Sequence, residues 1–176
     1  MTTRLARTIA RTAATTAAAL ATAAAVLVPA GVANADPVTD PAPSACRPAN
    51  QRAVVEPAPA SAGHRHYAVV LTAAPGTADC TLQGSPSNLV FSLNGSPRAV
   101  DSVPYGDQTR PVEFGPANPV RFDVQVPNSA GPAQANRIDF TPHAPGGEIP
   151  GAFTAYGPLG VDAGIQVGPF TEHTAG

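Results

Sequence analysis

Two of the chain's four histidines, His64 and His66, stand one residue apart in the stretch GHRHYAVVLT that begins at Gly63. On a β-strand, residues i and i+2 lie on one face, about 6.6 Å apart along it, so both imidazoles can reach one metal ion. Zinc asks for a third and usually a fourth protein ligand. The remaining histidines are His143, in a Pro/Gly-rich stretch, and His173, near the C-terminus, and no short spacing ties either to the pair. The alternation of Tyr67, Val69 and Leu71 reads instead as a strand with one dry face, with the histidines decorating its entrance. No metal ligand is therefore assigned. A metal-binding or metal-dependent module using His64 and His66, with an acid or His143, stands as the alternative.

Other reactive constellations are weaker. Gly84-Ser85-Pro86 and Gly95-Ser96-Pro97 both lack the G-x-S-x-G pattern that exposes a serine nucleophile between strand and helix. Asp123 and Asp139 fall at wet-face positions of strand-like segments, where solvated carboxylates are ordinary, although a glycosidase would need such a pair facing across a cleft. Glycan binding favours exposed aromatic platforms, and the chain has no tryptophan and three tyrosines. Tyr67 belongs to the dry face of its strand, which leaves Tyr105 and Tyr156 as contact residues. No catalytic residue and no cofactor site are assigned, and the chain is read as non-catalytic.

The first residues have the three parts of a secretory signal: a basic head with Arg4, Arg7 and Arg11, an Ala-rich apolar run from about Thr12 to Val28, and the small-residue exit Ala33-Asn34-Ala35. Pro29 and Gly31 close the apolar run short of the roughly 20 residues that span a bilayer, so cleavage after Ala35 is expected rather than a retained anchor. Three of the ten basic residues would leave with this leader while all twelve acids stay, taking the net charge from −2 to −5. Such a balance argues against nucleic acid as a partner, because Lys and Arg must neutralise phosphates. No later apolar run supports membrane insertion.

Cys46 and Cys80 both fall in the exported part, and an even count in an oxidising compartment reads as one disulfide. The alternatives, free thiols or half a metal site, would call for more cysteines or a reducing compartment. A bridge would close a loop of about 35 residues, worth about 3.8 kcal/mol by chain entropy.

Residues 36–45 form a short Pro-rich segment with Pro37, Pro41 and Pro43, the composition of a linker. Residues 46–170 then suffice for one domain, leaving 171–176 as a tail. Helix is nearly excluded, since the longest stretch free of Pro and Gly after the leader is His64 to Ala74. Short alternating segments take its place: Val120, Phe122, Val124 and Val126 face one way, with Arg121, Asp123 and Gln125 the other. The same pattern recurs at Leu89, Phe91 and Leu93, at Val112 and Phe114, and at Ile138 and Phe140. Further strands are expected at Arg52 to Glu56, Thr77 to Leu82 and Gly164 to Val167. Asn94-Gly95 is the strongest hairpin signal. The fold class expected is all-β: an immunoglobulin-like antiparallel β-sandwich of about seven or eight short strands following a cleaved signal peptide.

From Cys46 to Pro86, the succession of an N-terminal Cys, Ala62-Gly63-His64-Arg65, the strand Tyr67 to Thr72, and Cys80-Thr81-Leu82-Gln83-Gly84-Ser85-Pro86 resembles the actinobacterial exported family called domain of unknown function 4232. In that family a Gly-His start leads into a strand ending in Leu-Thr-Asn, followed by a Cys-x-Leu-x-Gly-x-Pro run. This chain has Ala73-Ala74-Pro75-Gly76 after the strand and no second Cys pair in its C-terminal half. The resemblance implies a secreted or surface-exposed β-sandwich with a Cys46–Cys80 bridge, and no activity or cofactor. The function expected is accordingly a secreted domain that binds or structures an unknown partner at the cell envelope or outside the cell. Its contact loops would be Ser102 to Arg110, with Tyr105, and His143 to Tyr156.

Overall fold

The computed structural model describes residues 41–174, so the expected signal peptide and residues 36–40 of the linker lie outside the described residues. A 3-10 turn at Pro48–Asn50 leads into β1 (Gln51–Ser61), β2 (His64–Ala73), β3 (Cys80–Gln83), β4 (Ser87–Leu93), β5 (Ser96–Pro97), β6 (Ser102–Pro104) and β7 (Pro111–Phe114). There follow β8 (Val120–Pro127), β9 (Ala133–Thr141), β10 (His143–Ala144), β11 (Gly147–Glu148), β12 (Phe153–Val161), β13 (Ile165–Val167) and β14 (Thr171–Glu172). The fold is all-β, and no helix among the described residues is long and apolar enough to cross a membrane.

Two antiparallel sheets were expected, but ten strands form one mixed sheet in the order β5-β4-β9-β12-β1-β2-β8-β13-β6, with β14 also on β8. It curls into a half-barrel. The β12–β1 and β13–β6 joins are parallel. Alternation tells which residues of a strand are dry but not which strand lies beside it or in what direction, so these joins left no mark in the pattern. β3 and β7 form a separate two-stranded ladder. Their Leu82, Val112 and Phe114 share one apolar core with Val69 and Leu71 of β2, Phe91 of β4, Ile138 and Phe140 of β9, and Phe153 of β12.

Strand β8 carries the centre of this core. Val120, Phe122, Val124 and Val126 are all fully buried. The Phe122 ring meets Phe140 and Phe170 edge-on, with centroids 5.1 and 5.3 Å apart, geometries that suit the aromatic quadrupole. Phe170 thus ends the core, but the expected tail is not free beyond it: Thr171 and Glu172 pair with Arg121 and Val120. The linker likewise engages before Cys46, since Ala45 is buried and donates to the Ala78 carbonyl, while Ala78 donates to that of Pro43. Cys46 and Cys80 form the expected disulfide, with Cα atoms 5.9 Å apart, tying the start of the domain to β3.

The hairpin signal Asn94-Gly95 joins β4 to β5, with φ of 50° and 84° at its two residues. Strand β12 is the element that the sequence hid, because Gly157-Pro158 falls within it. The β9 register shifts there, between Tyr156 and Leu159, and a bulge is where a strand tolerates proline. Gly157 is required at this position: a Cβ would fall onto the Val55 carbonyl oxygen of the neighbouring strand.

Candidate functional site

Strand β2 has two faces. Val69 and Leu71 point into the core and Tyr67 packs against it, its hydroxyl accepting from the Gly160 N–H at 2.9 Å. The other face carries His64, His66, Ala68 and Val70. Antiparallel pairing sets Ala68 opposite Asp123 and His66 opposite Gln125, so His66 and Asp123 are diagonal neighbours on the outer face of the sheet. Their side chains meet, with His66 Nδ1 2.8 Å from Asp123 Oδ2.

The other ring nitrogen is also engaged. Strands β1 and β2 pair Ala58 with His66 but, closer to the turn, Ser61 with His64, so β1 carries an extra residue in between. This bulge brings Ser61 onto the face of His66, and Ser61 Oγ lies 2.7 Å from His66 Nε2. Gly63, with φ of 83°, closes the two-residue turn between the strands. A carboxylate only accepts, so Nδ1 carries a proton toward Asp123; in the neutral ring Nε2 is then the acceptor for the Ser61 hydroxyl.

Asp123 has a second donor. Tyr105, just past β6, gives its phenolic proton to Asp123 Oδ2 at 2.7 Å. Its loop is pinned twice, by the Tyr105 N–H on the Val167 carbonyl and by Gln108, whose side-chain amide donates to the Tyr105 carbonyl and accepts from the Ser85 N–H. Burial disfavours the phenolate and Asp123 adds to the effect by taking the phenol's proton in a hydrogen bond, so the Tyr105 pKa is pushed up to about 12. Gly168 admits the ring, because a Cβ there would come 3.0 Å from the Tyr105 oxygen.

His66, Asp123 and Tyr105 line a cleft of about 320 Å³ on the outer face, with Ser61 on the far ring nitrogen of His66 and outside its walls. Ala58 and Ala68 give it small side chains, Pro59, Pro169 and the Tyr105 ring give it apolar walls, and His66, Asp123 and Arg121 give it polar ones. Among the described residues Arg121 forms no ion pair. The site therefore combines an apolar slot, a cationic side chain and a hydrogen-bonded chain running Ser61, His66, Asp123, Tyr105.

The structure distributes the other sequence candidates elsewhere. His64 pairs with Pro127 in the β2–β8 ladder and joins no side-chain hydrogen bond among the described residues. His143 sits in β10, with Nε2 2.9 Å from Ser87 Oγ and 3.7 Å from Glu148 Oε1. His173 donates its backbone N–H to Pro119. No group of three His, Cys, Asp or Glu side chains suited to a metal gathers among the described residues. With both nitrogens of His66 engaged, a metal bridging His64 and His66 would have to displace Ser61 or Asp123.

Asp139 accepts from Arg137 at 2.7 Å and from Thr154 at 2.6 Å, which ties it into the β9–β12 ladder. Arg137 in turn lies 6.0 Å from the centre of the Tyr156 ring, and Asp139 raises the arginine's pKa. Tyr156 is 61% exposed and borders a second depression with Arg52 and Pro48. The stretch His143 to Tyr156, expected as one contact loop, is largely ordered into β10, β11 and the start of β12.

Ser61 is the site residue that sequence reading missed. Its only signal is the Ala62-Gly63 turn, which fixes where the β1–β2 hairpin folds back. No protein-family profile, curated protein or solved structure matches the chain.

Proposed function

We propose that this chain is an exported domain that works by binding, at the cell envelope or outside the cell, with the cleft between Tyr105, His66 and Arg121 as its contact surface. The observation that carries this reading is the cleft itself, in which a pinned aromatic ring and a cationic side chain face one apolar slot on a continuous sheet. Ligand sites commonly combine apolar walls with a few placed polar groups. A small ligand, or the small end of a larger one, with an apolar body and an anionic group suits these walls.

Export is supported by the basic head, apolar run and Ala33-Asn34-Ala35 exit, and by the Cys46–Cys80 disulfide, which persists in oxidising compartments. The Gly63-His64-Arg65 and Cys80 to Pro86 resemblance to an exported domain family agrees with this. N-terminal sequencing of the secreted product should read from Asp36; a product starting at Met1 would overturn the leader.

Binding is tested by adding a fragment library that includes small aromatic and aliphatic carboxylates while recording amide NMR spectra. Shifts should cluster at Ala68, Tyr105, Gly168 and Thr171, and Tyr105→Ala with Arg121→Gln should abolish them. Shifts scattered over the surface, or unchanged in the double variant, would contradict the reading.

A further inference from the structure

The order of atoms in the outer-face chain has a chemical meaning beyond binding. A carboxylate on Nδ1 fixes the imidazole tautomer, and a serine hydroxyl on Nε2 then faces a base. His66 has this arrangement, with Asp123 Oδ2 at 2.8 Å and Ser61 Oγ at 2.7 Å. Ser61 is exposed, so an electrophile can reach it, whereas the His66 and Asp123 side chains are only 15% and 30% exposed. The peptide N–H groups of Ala62 and Gly63, which follow Ser61 in the turn, make no backbone hydrogen bond among the described residues. They are backbone donors without a backbone acceptor, directly after Ser61 in sequence.

We infer that Ser61 is an activated nucleophile, with His66 as its general base, Asp123 as the positioning residue and short-chain esters as the substrate class. The cleft beside His66, with Ala58, Pro59 and Pro169, has the size and apolar walls for a short acyl or alcohol group. In the first step the Ser61 Oγ–carbon bond forms while Nε2 takes the hydroxyl proton. The ester C–O bond then breaks, and the imidazolium returns that proton to the departing alcohol. Water attacks the acyl-serine through the same base; its oxygen–carbon bond forms, the Oγ–carbon bond breaks, and Ser61 regains a proton. The sum is ester plus water giving acid plus alcohol. Tyr105 donates to Asp123 Oδ2, the same oxygen that holds His66, and touches no reacting atom.

The inference does not rest on the binding reading and is tested separately, on the secreted chain, with a fluorophosphonate probe. There the Oγ–phosphorus bond forms, fluoride leaves and the proton passes to His66. One adduct per chain is expected, located at Ser61 by peptide mass and absent in Ser61→Ala. His66→Gln and Asp123→Asn should slow its formation at least about tenfold, since general-base assistance is worth about 100- to 10,000-fold. Hydrolysis of p-nitrophenyl butyrate should fall in parallel in all three variants. Retention of the Cys46–Cys80 bridge and a cooperative melt show that a variant is folded, and Asp123→Asn keeps the side chain's shape. A folded native chain that takes no label at Ser61, or labels equally fast in His66→Gln, overturns the inference. Fragment shifts in the cleft without a Ser61 adduct would leave binding standing and remove the nucleophile; the adduct without fragment shifts would do the reverse.

Discussion

His66 and Asp123 meet at 2.8 Å as diagonal neighbours of an antiparallel ladder, joined by register and separated by 57 residues of chain. Each then holds one more partner, Ser61 on the histidine and Tyr105 on the aspartate. Removing a central member should therefore cost more than removing an end. Asp123→Ala leaves the part-buried Tyr105 hydroxyl and the His66 N–H without their acceptor, for a loss of about 1–3 kcal/mol in chemical denaturation. Ser61→Ala, at an exposed turn, should stay within about 0.5 kcal/mol. Equal losses for the two would mean that the chain of hydrogen bonds is not a connected unit.

Tyr105 sets a pH limit at the alkaline end. Its pKa rises from 10.0 to about 12 on folding, so the folded state holds the phenolic proton more tightly than the unfolded one. The contribution is complete below pH 10 and is lost as pH climbs from 10 toward 12. The native chain should lose its stability advantage over Tyr105→Phe across that window. Its tyrosinate absorbance should show a late ionisation that Tyr105→Phe lacks. A stability difference that stays flat through the window would contradict the assignment.

Much of this scaffold was legible because alternation records burial directly. The four apolar residues of β8 and the Asn94-Gly95 turn needed nothing beyond the pattern. Strand β12 escaped because its first four residues fell in the expected contact loop His143 to Tyr156 and Gly157-Pro158 interrupts the rest, whereas the fold uses Gly157 to admit the Val55 carbonyl and a bulge to accommodate Pro158. The single curled sheet escaped for another reason, since neighbour order and parallel joins depend on long-range closure. At the site, His66 was legible by residue type, Asp123 only as a wet-face carboxylate, and Tyr105 only as a loop aromatic. Ser61 depended on a bulge of one residue, and no property of the sequence around it announces that shift in register.

Gly157 gives a direct check on β12. Gly157→Ala should destabilise the domain by about 1–3 kcal/mol, as overpacking against fixed backbone does, or prevent folding. Gly146→Ala, where a Cβ meets nothing within 4 Å, should remain near wild type. Similar melting for both would argue against the close β1–β12 approach.

The Cys46–Cys80 bridge pins the chain start to β3 and should contribute about 2–5 kcal/mol. Replacing both cysteines with alanine should lower the denaturation midpoint accordingly, and the unfolded, non-reduced secreted chain should show no titratable thiol. Two thiols per chain would rule the bridge out.

Nitrogen-15 NMR of the imidazole of His66 tests most directly whether the fold builds an oriented site around Asp123. In the neutral ring the proton is expected on Nδ1, with its signal shifted downfield by the Asp123 carboxylate, shifted back in Asp123→Asn and retained in Ser61→Ala. A ring protonated at Nε2, or an Nδ1–H signal indifferent to Asp123→Asn, would contradict the arrangement from which the site is built.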